Sequence, residues 1–170
     1  MSGAIPLDDA RRLAALRRGD PAAVADLWDE WKTRLWAICR GMAADPDRAR
    51  VLLADIHHSL PSAVIGWSLE VPICCQLARH TWSRLHAHLQ LAEPDGIPLS
   101  IPDRTRSPAA SEVAARLAEI PPELRVIYLL DVFFSCPAAT LAALSGWDEK
   151  QVRRARAAVA FHLVSAGGTP

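Results

Sequence analysis

Apolar residues recur at three- and four-residue steps along most of the chain, and strict alternation never lasts long enough to imply a strand. The pattern predicts an all-α protein. Asp8 to Arg18 places Leu13 and Leu16 on one side of a short helix that Gly19 closes. Asp20 then caps a longer helix with Pro21 in its first turn, and Val24, Leu27, Trp28, Trp31, Leu35, Ile38 and Met42 mark its buried face. At this spacing Trp28, Trp31 and Trp36 read as core residues rather than stacking platforms. A third helix begins at Asp45-Pro46, runs through Val51, Leu52 and Ile56, and is expected to stop near Pro61. Ser62 to Val71 reads as irregular or marginally helical. From Pro72 a fourth helix carries Ile73, Leu77, Trp82, Leu85 and Leu89 inward, with Arg79, His80, Arg84, His86 and His88 on more exposed positions.

Glu93 to Pro108 (EPDGIPLSIPDRTRSP) lacks helical periodicity and reads as an extended linker rich in proline. The predicted organisation is two small helical domains: 1–91, a linker over 92–110, and 111–170. In the second, Ser111 is expected to cap a helix through Val113, Leu117 and Ile120. The stretch from Ile120 to Val164 then has the pattern of a helix-turn-helix. A helix opens at Pro121-Pro122 and ends near Phe134, a short one starts at Pro137, and Gly146 stops it. Asp148 caps the last helix, where Val152, Val159, Phe161 and Leu163 are expected to bury while Lys150, Gln151, Arg153, Arg154 and Arg156 look outward. A cationic, polar first turn after a glycine turn suits a DNA major groove: arginine and lysine neutralise phosphates, and Gln151 or an arginine can read base edges. The same pattern also fits three-helix packing with arginines on the wet side.

Composition narrows these readings. Nineteen basic residues balance nineteen acidic ones, so nucleic-acid contact has to come from a local patch rather than from overall charge. The four cysteines, Cys39, Cys74, Cys75 and Cys136, form no disulfide framework, and the sequence shows neither a signal peptide nor a membrane-length apolar run. A cytoplasmic protein with reduced thiols, not bound to membrane, is expected. His57, His58, Cys74, Cys75, His80, His86 and His88 are metal-ligand types, but their spacing matches no zinc motif. No phosphate loop, nucleophile elbow or cysteine–base pair is present. Catalytic residues, metals and cofactors are therefore all assigned as none.

The layout resembles a bacterial RNA polymerase sigma factor of the extracytoplasmic-function type. Residues 19–49 (GDPAAVADLWDEWKTRLWAICRGMAADPDRA) resemble that family's opening helices, and LARH at 77–80 its promoter-melting helix. IPPELRVIYLLDVF (120–133), LAALSGW (141–147) and VRRARAAV (152–159) follow its C-terminal three-helix pattern. The resemblance implies a non-enzymatic transcription-initiation factor that binds core RNA polymerase and promoter DNA, with an anti-sigma factor as a further candidate partner. It places Val51, Leu52, Leu53 and Asp55 on the polymerase-docking helix. Arg79, His80, Trp82 and Arg84 fall where the family opens and reads the downstream element, and Lys150, Gln151, Arg153, Arg154 and Arg156 on the helix that reads the upstream one.

The sequence also departs from the family. Arg48, Arg50, Val51 and Ala54 stand where acids and a glutamine are usual, and the melting helix ends in His86-Ala87-His88 rather than an arginine-rich tail. Each phosphate contact adds affinity through counterion release, so fewer cations predict weaker, less salt-dependent binding. A second reading follows: a degenerate sigma-like protein acting as a protein-interaction or regulatory module without promoter opening.

Overall fold

A computed structural model describes residues 7–43, 45–89 and 112–165. Eight helices and no strand occur among them: α1 (Leu7–Arg17), α2 (Pro21–Met42), α3 (Pro46–Ile65), α4 (Ile73–Leu89), α5 (Glu112–Glu119), α6 (Pro122–Phe134), α7 (Ala138–Ser145) and α8 (Glu149–Ser165). The expected linker and the Ser111 cap lie outside the described residues.

Local chemistry sets the starts of α2 and α3. The Asp20 carboxylate accepts from the amides of Ala22 and Ala23, and Asp45 from those of Asp47 and Arg48. Each therefore satisfies donors that have no partner inside the helix, with a proline following at the first helical position.

Pro61 does not stop α3, contrary to the sequence expectation; the helix runs on to Ile65. A proline costs one backbone bond and crowds the carbonyl four residues earlier. Here that cost falls on the exposed side of the helix, while Leu60 and Val64, both fully buried, anchor the last turn on either side of Pro61. The segment after α3 is tied down by Gln76. Its buried carboxamide accepts from the Ser68 amide at 2.6 Å and donates to the carbonyls of Ser68 and Val71, both at 2.8 Å.

α2 is the organising helix, packing against α1 and α3 on one side and α5 and α6 on the other, while α4 meets α3, α6 and α7. One hydrophobic core therefore runs through all eight helices of the described residues, from Leu13 and Leu27 through Leu117 to Leu130 and Val159. Trp31 of α2 stacks on Phe134 of α6 with ring centroids 5.1 Å apart. Gly41 lets α6 approach closely: a Cβ there would lie 2.7 Å from Leu129 Cδ1. Arg125 of α6 is buried, and its guanidinium donates to the carbonyls of Gly41, Met42, Ala118 and Ile120 at 2.6–3.3 Å. It thereby closes the carbonyl ends of α2 and α5, which have no donors within their own helices to satisfy them.

Candidate nucleic-acid and protein interface

α7, the turn and α8 form the helix-turn-helix. Gly146 takes the left-handed conformation, φ 74°, that ends α7, and its amide bonds the Ala142 carbonyl. The buried Trp147 follows, its amide donating to Ser145 Oγ at 3.3 Å. Asp148 and Gln151 then cap α8 reciprocally. The Gln151 amide donates to Asp148 Oδ1 at 2.7 Å, and the Asp148 amide to Gln151 Oε1 at 2.8 Å.

This geometry sorts the five residues predicted for the upstream element. Lys150, Arg153 and Arg154 are exposed and, with Glu149 and Ala157, line an open concavity of about 700 Å³. Arg153 also pairs with Glu149 one turn back. Gln151 is occupied by the cap. Arg156 does not look freely outward as expected: it is half-buried and reaches Asp131 of α6 at 2.9 Å. Burial pushes the Asp131 carboxyl above its ordinary value, against the opposing pull of Arg156. Phe161, expected in the core, is instead 74% exposed. Val152, Ala155 and Val159 already fill the inward face of α8.

α3 and α4 are joined by a clasp. Arg84 donates to Asp55 through Nε at 2.5 Å and Nη2 at 2.7 Å, and His88 Nε2 lies 3.1 Å from the same carboxylate. The Arg84 hydrogen bonds hold Asp55 below its ordinary pKa, and the same contact raises that of Arg84. A residue assigned to polymerase docking is thus paired with one assigned to DNA. Of the other docking candidates, Val51 is exposed, Leu53 packs partly on the core, and Leu52 is buried within it.

On α4 only Arg79 of the four predicted residues is exposed. Trp82 packs partly on the core. His80, expected on an exposed position, is half-buried; its Nε2 lies 3.1 Å from the Ile56 carbonyl and 3.2 Å from Ser59 Oγ. Burial lowers its pKa, so the ring is neutral at pH 7 and donates to that carbonyl. Of the Cys74-Cys75 pair, Cys75 is buried and Cys74 half-buried. Their mutual hydrogen bond and burial push the Cys74 thiol up, and the neighbouring Cys136 thiol does the same to Cys75. These are not activated nucleophiles.

Helical periodicity does not single out Arg125. Its one signal in the sequence is a lone cation inside the apolar run LRVIYLL at 124–130.

No protein-family model matches the chain, and no curated protein matches it. Among solved structures it is similar to CnrH, whose structure was determined in complex with the cytosolic domain of CnrY. The TM-score is 0.65 at 18% identity, over 94% of this chain and 99% of that one. At that identity the likeness is one of fold, and it shows a helical fold like that of extracytoplasmic-function sigma factors.

Proposed function

We propose that this chain is a transcription-initiation factor of the sigma type, which binds core RNA polymerase and brings it to promoters through α8. The observation that carries this reading is the outward set Lys150, Arg153 and Arg154, presented just after the Gly146 turn in a fold that matches CnrH along nearly its whole length. Cations at that position can neutralise phosphates flanking a major groove. CnrH is a sigma factor solved with the cytosolic domain of CnrY, which supports an anti-sigma factor as a candidate partner here too. No helix among the described residues is long and apolar enough to cross a membrane, in keeping with the proposed cytoplasmic role.

A second reading is a sigma-like regulatory module that does not open promoters. It is favoured by the Asp55–Arg84 clasp, in which a docking acid and a melting-helix cation use each other up. Pull-down of core RNA polymerase with the purified chain, followed by run-off transcription on genomic fragments, separates the two. Binding with transcription supports the first reading, binding without transcription a polymerase-associated form of the second, and absence of binding overturns the first and leaves the sigma-like fold to another partner.

A further inference from the structure

The first turn of α4 carries two adjacent cysteines, and a third meets them from the other half of the chain. Cys74 Sγ and Cys75 Sγ lie 4.0 Å apart. Cys136 sits in the short connection between α6 and α7, both of which pack on α4. Ser135, just before it, takes the left-handed conformation at φ 52°, which residues other than glycine seldom adopt, and the chain so bent seats Cys136 in the core. Cys75 and Cys136 are 7% and 3% exposed, belong to the same core and hydrogen-bond each other through their thiols. Thr140 of α7 bonds Cys75 as well. The sulfurs therefore gather where α4 touches the helices that follow residue 111.

Geometry selects one bridge among them. Consecutive Cα atoms stand about 3.8 Å apart, short of the roughly 4.4 Å or more that a disulfide spans, so a Cys74–Cys75 bond is disfavoured within α4. Cys75 and Cys136 come from separate elements and meet no such limit. Cys39 of α2 is pushed up to about 12 by burial, with no contribution from another sulfur. Cys74 is half-buried, so the cluster has an edge that a molecule as small as a peroxide reaches.

We infer that Cys75 and Cys136 form an oxidation site, which hydrogen peroxide converts into a disulfide tying α4 to the α6–α7 connection. Oxygen transfer to one thiol gives a sulfenic acid and one water; the other thiol displaces its hydroxyl, giving the disulfide and a second water. The pair loses two electrons and two protons, and the peroxide is reduced. Burial and the bond to Cys136 keep Cys75 protonated, so the reaction is slow and answers sustained rather than brief exposure. In a reducing compartment thiol exchange reverses it. The bond closes a loop of roughly 60 residues and so stabilises the packed arrangement of the two halves. A partner that has to enter between α4 and the α6–α7 connection is excluded from the oxidised chain. The inference goes beyond the proposed function and does not depend on it.

Peptide mapping of the folded full chain tests it, after incubation with excess hydrogen peroxide, blocking with N-ethylmaleimide and tryptic digestion. The expected product joins peptides 51–79 and 126–150 and is lost on treatment with dithiothreitol. Cys75→Ala and Cys136→Ala should each abolish it, whereas Cys74→Ala and Cys39→Ala should leave it. Oxidation should also raise the thermal midpoint of the wild-type chain by roughly 10 °C and leave that of Cys136→Ala unchanged. Each variant is compared with its own reduced form, so any effect of the substitution on folding cancels. A Cys75–Cys136 pair that stays reduced in the folded chain overturns the inference, as does a bridge that persists in Cys75→Ala. A bridge that forms without raising the midpoint overturns its role in holding the two halves together.

Discussion

Asp55 on α3 and Arg84 on α4 meet in a two-bonded fork, with Nε–Oδ2 at 2.5 Å and Nη2–Oδ1 at 2.7 Å, although 29 residues separate them in sequence. The fork is partly exposed, so its removal by Asp55→Asn is expected to lower stability by about 1 kcal/mol at neutral pH. Asp55 has a folded-state pKa below the ordinary 3.8, so its contribution is complete above that value and is lost as the pH falls through the depressed one. Urea titrations of both chains should therefore diverge at pH 6 and converge as the pH approaches that depressed value. A pH-independent difference would mean that the carboxylate charge is not what matters.

The outward cations of α8 give a second expectation. Replacing Arg153 and Arg154 by alanine should abolish promoter occupancy while changing stability by less than about 0.5 kcal/mol, since both side chains are exposed. Each phosphate left without its cation should reduce the slope of log affinity against log salt by about one. Footprinting and salt titration with Arg153→Ala and Arg154→Ala check this. Unchanged occupancy would remove DNA recognition from α8.

Arg125 should behave in the opposite way. Arg125→Met leaves the carbonyls of Gly41, Met42, Ala118 and Ile120 without their shared donor in a buried site, an expected loss of about 3 kcal/mol. Burial already lowers its pKa, but its guanidinium has four acceptors arranged around it that a lysine cannot all reach. Arg125→Lys should therefore recover only part of the loss in a thermal or chemical unfolding series.

His80 supplies a pH dependence near neutrality. Its folded-state pKa lies below the ordinary 6.5, so the unfolded chain takes up protons first, and stability should decline as the pH falls below 6.5. The decline should flatten once the buried ring itself is protonated. An NMR titration of the imidazole should place its midpoint below 6.5, with Arg84 opposing protonation and Asp55 favouring it. A midpoint at or above 6.5 would contradict the burial argument.

The parts of this fold that are readable from sequence are those decided within one or two helical turns. Asp20, Asp45 and Asp148 cap helices because their carboxylates reach amides two or three residues ahead, and Gly146 ends α7 because it accepts a positive φ. Helical phase alone places Lys150, Arg153 and Arg154 outside. Pro61 misleads because the penalty it imposes locally is overridden by the burial of Leu60 and Val64. Gln151 and Arg156 share the polar character of their neighbours, and only the cap and Asp131 on another helix remove them from the outward set. The Asp55–Arg84 fork and the Arg125 hydrogen bonds join residues 29 and up to 84 positions apart, distances over which periodicity carries no information.

The shared core has a consequence for the integrity of the chain. Trp31 lies on Phe134, Leu129 fills the space above Gly41, and Arg125 holds the end of α2, so the helices before residue 90 and those after residue 111 are complementary surfaces as well as successive segments. A single backbone cut between Leu89 and Glu112 would leave all of these interactions in place. The two fragments are then expected to remain associated and to reassemble in trans as a bimolecular complex, which co-elution of the cleaved chain on size exclusion would check.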